Sequence, residues 1–71
     1  MVEKLIKHLE GLGYTYVDYD AQRSSEWLLF LSGVDSLGRP IEFKYYVDDG
    51  YLMDKTLDSK FWDILEKVDF S

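Results

Sequence analysis

The chain has 71 residues, of which 46% are hydrophobic and 17% aromatic, and its fourteen acidic and eight basic residues give a net charge of −6. This length suits one domain spanning residues 1–71, and the apolar content excludes a disordered polymer. Cysteine is absent, which excludes disulfides and thiolate chemistry and suits a reducing compartment. The sequence shows neither a secretory signal nor a run of about 20 apolar residues, so we expect a soluble, cytoplasmic protein without a membrane span.

The negative charge is spread over the chain. Residues 1–36 hold three basic and six acidic groups, and residues 37–71 hold five and eight. Such a charge repels phosphate backbones and anionic lipids and favours basic partners. The alternative is that it only keeps a small protein soluble.

The predicted elements begin with an amphipathic helix over residues 2–12. Its apolar stripe follows helical spacing and comprises Val2, Leu5, Ile6, Leu9 and Leu12. Aromatic and β-branched residues then predict strands over 14–19, 27–34 and 41–47, which form an antiparallel meander.

The turn between the second and third strands predicts their register. Asp35 and Gly38 occupy the first and fourth positions of a type I turn with a glycine bulge. Strand pairing then places Leu31 with Phe43, Leu29 with Tyr45 and Trp27 with Val47 on the core face. Phe30 with Lys44, Leu28 with Tyr46 and Ser32 with Glu42 lie on the opposite, outer face.

Residues 48–56 are predicted to be an acidic loop, with a short fourth strand at 51–53 as the alternative. A second helix is expected to start near Asp58 or Ser59, with a core stripe of Leu57, Phe61, Ile64, Leu65 and Val68. Trp62 falls on another strip, with Asp58, Glu66 and Asp69. It is interpreted as an interface residue or as a ring folded over the sheet edge near Tyr51 and Met53.

The expected fold class is α+β, with both helices packed on one face of a three-stranded antiparallel sheet.

The run from Trp27 to Leu31 is apolar on both strand faces, so both faces need covering. Two helices on one face leave the other open, as an aromatic platform with acidic residues around it. The predicted platform contains Tyr14, Tyr16, Asp18, Leu28, Phe30 and Tyr46. The alternative is that one helix packs on each face, or that residues 51–53 cover the platform.

Motifs of catalysis are missing from the sequence, and we do not expect an enzyme, a metal site or a cofactor. The single histidine, His8, lies at the edge of the helical stripe and is interpreted as a boundary residue. Asp48, Asp49, Asp54 and Asp58 lack the ligand spacing and closing Glu of a calcium loop.

The leading hypothesis is therefore that the chain is a protein-binding module. Its clustered carboxylates would imitate phosphates and occupy the basic surface of a partner that handles nucleic acid. The candidate acids are Asp18, Asp20, Asp48, Asp49, Asp54, Asp58 and Glu66, and the candidate aromatic and apolar contacts are Tyr14, Tyr16, Leu28, Phe30, Tyr46 and Trp62. In size, charge and aromatic content the chain is similar to small acidic phage inhibitors of host defence, including some anti-CRISPR proteins. The alternative is a homodimer or adaptor subunit that uses the outer face.

The predicted helix, three strands and helix also resemble the double-stranded RNA-binding domain in topology and length. That family holds phosphates with lysines at the start of its second helix, whereas residues 54–60 here interleave acids with lysines. Among the outer-face tyrosines only Lys44 is expected to neutralise phosphate. Direct nucleic-acid binding is therefore not expected.

Overall fold

A computed structural model describes residues 1–70, in which one helix precedes a five-stranded antiparallel sheet. The elements are α1 (Val2–Gly11), β1 (Thr15–Tyr19), β2 (Leu28–Val34), β3 (Pro40–Tyr46), β4 (Tyr51–Thr56) and β5 (Asp63–Lys67). Each strand pairs with its neighbour in sequence, so the sheet is a simple meander. The predicted α+β class and the N-terminal helix are confirmed. Within residues 1–70 no helix has the length and apolar character to cross a membrane.

The predicted register of the central hairpin is also confirmed. Leu31 pairs with Phe43, Leu29 with Tyr45 and Phe30 with Lys44. The Asp35 N–H donates to the Arg39 carbonyl at 2.9 Å, and Gly38 adopts a φ of 79°. Because glycine tolerates that left-handed conformation, the turn closes without strain and sets the pairing of the whole hairpin.

The predicted C-terminal helix is wrong, and the sheet has five strands instead of three or four. Met53 pairs with Ile64 and Leu52 with Glu66, with a bulge between the two pairs. The bulge inserts Leu65, which packs against the core, while Ile64 is exposed. Leu57 and Phe61, two residues of the predicted helical stripe, are exposed as well. Pairing with the free edge of β4 therefore replaces the helix, and the topological similarity to the double-stranded RNA-binding domain ends there.

The hydrophobic core lies on one face of the sheet, beneath α1. Its buried residues are Leu5, Leu9, Leu29, Leu31, Ile41, Phe43, Tyr45 and Leu52. The C-terminal segment, residues 68–70, completes the cover: the Tyr45 hydroxyl donates to the Val68 carbonyl at 2.8 Å, and the ring of Phe70 meets Tyr45 edge-on. The core face is thus covered by α1 and the C-terminal segment, instead of by the two predicted helices.

Candidate protein-interaction surfaces

The outer face of the sheet, which points away from α1, carries a mixed set of apolar, aromatic and charged side chains. Strand alternation and pairing place there Leu28, Phe30, Ser32, Glu42, Lys44, Tyr46, Tyr51, Met53, Lys55, Ile64 and Lys67. Within residues 1–70 no helix or strand packs over this face. One of the two apolar faces of β2 is therefore left without a covering helix or strand, as the sequence predicts. The side chains on this outer face shield one another, and most of them are half-buried.

The predicted aromatic platform is only partly assembled. Leu28, Phe30 and Tyr46 lie on the outer face as expected, and Asp18 joins them opposite Ser32. The placement of Tyr14 there is wrong, because its ring packs edge-on against Phe43 in the core at 4.8 Å. A bulge in β1 between Thr15 and Asp18 adds one residue and reverses the faces that precede it. Tyr16 lies at this bulge with a φ of 53° and is 85% exposed.

Basic side chains stack on the rings of the outer face. The Arg23 guanidinium lies 4.4 Å from the centre of the Phe30 ring, and the Lys44 ammonium lies 4.6 Å from Trp62 and 5.5 Å from Tyr46. The Lys55 ammonium also lies near Trp62, 5.6 Å from the centre of its ring. The predicted helical strip of Trp62 with Asp58, Glu66 and Asp69 does not form, because residue 62 precedes β5 and its indole folds over these two lysines.

Glu42 lies at the centre of the outer-face cations and joins two of them. Its carboxylate accepts a hydrogen bond from Lys55 and another from Arg23, each at 2.7 Å. The hydrogen bond from Lys55 is the larger cause, and that from Arg23 the second, of a Glu42 pKa that is lowered below its ordinary value. Lys44 forms no ion pair with a carboxylate in the part of the chain that the structure describes. The outer face therefore has a neutralised carboxylate and an available cation.

A second surface lies at the end of the sheet where β2 begins and β3 ends, and we call it the acidic end: Trp27 with Glu26, Asp48 and Asp49. The Val47 N–H donates to the Trp27 carbonyl at 3.0 Å, which holds Trp27 beside the Asp48–Asp49 turn. The predicted burial of Trp27 is wrong, because β2 starts one residue later and the indole is 60% exposed. An open depression of about 320 Å³ adjoins the turn and is lined by Asp48, Asp49, Lys67 and Asp69, among others.

The remaining predicted acids lie elsewhere, so the seven carboxylates do not form one surface. Asp54 is half-buried on the core side, where the Tyr14 hydroxyl donates to it at 3.4 Å. Desolvation is the main reason that its pKa is raised, and the charge of Asp63, its cross-strand neighbour, adds to the effect. Asp58 is exposed in the β4–β5 loop, and Glu66 pairs with His8 of α1. Asp18 and Asp20 flank the end of β1, where Asp20 also accepts a hydrogen bond from the Arg23 N–H.

A second open depression, of about 250 Å³, lies at the opposite end of the sheet. Its lining includes Tyr14, Asp35, Arg39, Asp54 and Asp63. Asp35 is already engaged by Arg39 through backbone and side-chain hydrogen bonds, the main reason that its pKa is lowered. Among residues 1–70 no group of three or more His, Cys, Asp or Glu side chains is arranged to hold a metal ion.

Two features of these surfaces escaped the sequence reasoning. The alternation of β2 predicts that Trp27 lies in the core, because no local pattern marks where the strand starts. The sequence predicts a loop at Lys55 and a helix at Trp62, and neither element brings these side chains close to Lys44. A period-2 alternation through Tyr51, Met53 and Lys55 is the signal that would have placed Lys55 on the outer face.

Comparison with known proteins gives no family assignment: no protein-family model, no curated protein and no solved structure matches this chain. The function has to be inferred from the geometry of the two surfaces.

Proposed function

We propose that this chain is a small, non-enzymatic protein-binding module that acts in the cytoplasm. Its acidic end docks on the basic, nucleic-acid-binding surface of a partner protein and inhibits that partner by occupying the place of phosphates. It does not bind nucleic acid itself, because its net charge of −6 repels the phosphate backbone.

The observation that carries this proposal is the exposed indole of Trp27 beside a turn of free carboxylates. Among the described residues, Asp48, Asp49 and Glu26 form no ion pair and no side-chain hydrogen bond. Their charges are therefore available to a cationic partner. Tryptophan is enriched among the residues that dominate binding energy, because its large ring excludes water from neighbouring polar contacts. An aromatic anchor beside uncompensated carboxylates fits a basic groove that also has an apolar floor.

The test is affinity capture from the native host with matched variants, followed by competition. The wild type and a helix control, in which Glu3 and Glu10 on the exposed side of α1 are changed to lysine, should retain the same basic protein. The charge-reversed variant Asp48→Lys/Asp49→Lys and the anchor variant Trp27→Ala should lose it. Because opposite charges attract the partner, capture should weaken as salt rises, and duplex DNA or RNA should release the bound protein. Equal capture by the charge-reversed variant would refute the proposal.

The alternative function is self-association through the outer face, and the exposure of Ile64 favours it. Ile64 lies on β5, an edge strand, and is 62% exposed on the same face as Met53. Edge strands with exposed apolar residues readily pair with a second chain. Light scattering over a dilution series distinguishes this alternative: a dimer that Ile64→Asp or Phe30→Asp dissociates, and that Asp48→Lys/Asp49→Lys leaves intact, would support it.

A further inference from the structure

The outer face differs in charge from the rest of the molecule. Four of the eight basic residues, Arg23, Lys44, Lys55 and Lys67, lie there with three acidic residues, Asp18, Asp20 and Glu42. The rest of the chain is left with four basic and eleven acidic residues. A face with a local positive excess on a strongly negative protein attracts anionic groups that are small enough to lie within it.

Lys44 is the cation of the outer face that is best placed to bind a small anionic group. It lies on the central strand β3, half-buried, with its ammonium held over the rings of Trp62 and Tyr46. Glu42, the nearest carboxylate in the strand, is already shared by Arg23 and Lys55. Because the rings restrict the Lys44 side chain before binding, this side chain loses less conformational entropy when its ammonium pairs with an incoming carboxylate.

The apolar side chains around Lys44 complete the surface. Leu28, Met53 and Ile64 lie on the same face, and Ile64 is largely exposed. A ligand that combines carboxylates with apolar side chains would contact the ammonium and these residues together. An acidic polypeptide segment has this chemistry.

Nucleic acid fits the same face less well, although it offers anions and rings. The molecule measures 31 × 25 × 23 Å, so a strand that crosses the outer face soon reaches the negative surroundings. Electrostatic interactions extend about 8 Å at physiological salt, and a nucleic acid carries a phosphate at every nucleotide. Repulsion at the rim therefore opposes the attraction at the centre, whereas a peptide with a few carboxylates can place them all near Lys44.

We infer that the outer face binds an acidic, partly apolar segment of a second protein, with a carboxylate paired to Lys44 and apolar side chains on Leu28, Met53 and Ile64. This binding is independent of the acidic end, so the chain can hold a basic and an acidic protein at two separate surfaces.

Fluorescence anisotropy of a fluorescein-labelled peptide that combines Glu with Leu and Ala tests this inference. The wild type should bind the peptide, with an affinity that falls as salt rises. Lys44→Met keeps the length and apolar stem of the side chain and should weaken binding about tenfold, the loss of one charge-assisted hydrogen bond. Lys7→Met, on the exposed side of α1, is the matched control and should bind like the wild type. Ile64→Asp should also weaken binding, and because Ile64 is exposed this change leaves the core intact.

Several results would overturn the inference: no binding of the peptide by the folded wild type, equal binding by Lys44→Met, or tighter binding of a labelled oligothymidine than of the peptide. A dimer in light scattering that Lys44→Met dissociates would assign the face to a second copy instead. Trp27→Ala should leave peptide binding unchanged, so this experiment and the capture test of the acidic end can fail separately.

Discussion

The hydroxyl of Tyr45 offers a sharp test of how the C-terminal segment completes the core. The ring is 1% exposed, and the hydroxyl donates to the Val68 carbonyl at 2.8 Å. Burial, followed by the charge of Asp69, raises the pKa of Tyr45 above 10.0, so the hydroxyl is a donor throughout the neutral range. Tyr45→Phe keeps the ring and removes only this hydrogen bond. The loss should cost about 1–2 kcal/mol, because a net hydrogen bond contributes about 1 kcal/mol and the Val68 carbonyl is left without its partner.

Urea unfolding followed by circular dichroism measures this cost. With a slope of about 1 kcal/mol per M for a chain this small, the midpoint should fall by about 1–2 M. Tyr46→Phe is the matched control, because the Tyr46 hydroxyl forms no hydrogen bond within residues 1–70, and its midpoint should stay close to that of the wild type. If the two variants unfold at the same urea concentration, residues 68–70 do not dock on the core as described.

Three further predictions concern stability. Glu42→Gln should cost about 1–2 kcal/mol at pH 7, because two charge-assisted bonds are weakened. The bonds from Lys55 and Arg23 lower the Glu42 pKa, so this stabilisation is present above pH 4.5, the ordinary pKa, and is lost as pH falls through the lowered pKa. The urea midpoints of the variant and the wild type should therefore converge in acid. Asp54→Asn should stabilise the protein at pH 7, because desolvation raises the pKa of Asp54 and its ionised form is disfavoured in the fold. Thermal unfolding should show that gain vanishing below pH 3.8, where the carboxyl is protonated in both states, and a destabilised variant at pH 7 would contradict this. Gly50→Ala should lower stability by about 2 kcal/mol or more in the same assay, because Gly50 has a φ of +76° and an added Cβ would lie 2.9 Å from the Val68 carbonyl oxygen; an unchanged melting temperature would exclude this turn geometry.

The first half of the fold is largely encoded in local sequence signals. The spacing of Leu5 and Leu9 predicted α1, and the Asp35–Gly38 turn predicted the pairing of β2 with β3 residue by residue. These signals succeed because a turn with a required left-handed glycine allows one register, and a one-residue slip would expose Leu29, Leu31 and their partners.

The second half depends on tertiary pairing that the local sequence does not reveal. The apolar residues between Leu57 and Val68 follow helical spacing, yet the same segment contains β-compatible residues at Ile64 and Leu65. What decides between helix and strand is the open edge of β4 together with a bulge that turns Leu65 to the core. The spacing of apolar residues along the chain gives no information about either feature, because both depend on pairing with another strand.

The interaction surfaces show the same limit. The sequence predicted that the outer face would hold Phe30 and Tyr46, and it does. It could not predict that the bulge in β1 would move Tyr14 to the core, or that Trp27 would lie one residue outside β2. Both errors come from extending a strict alternation beyond the regular part of a strand, across a bulge in β1 and past the first residue of β2.

An NMR titration shows whether the acidic end is the surface that binds the basic partner. Isotope-labelled protein is titrated with the basic partner recovered by affinity capture, and amide shifts are followed residue by residue. We predict that the largest shifts fall on Trp27 and on Asp48 and Asp49, and that duplex DNA reverses them. Shifts confined to α1 or to the outer face, with the acidic end unaffected, would contradict the proposed function.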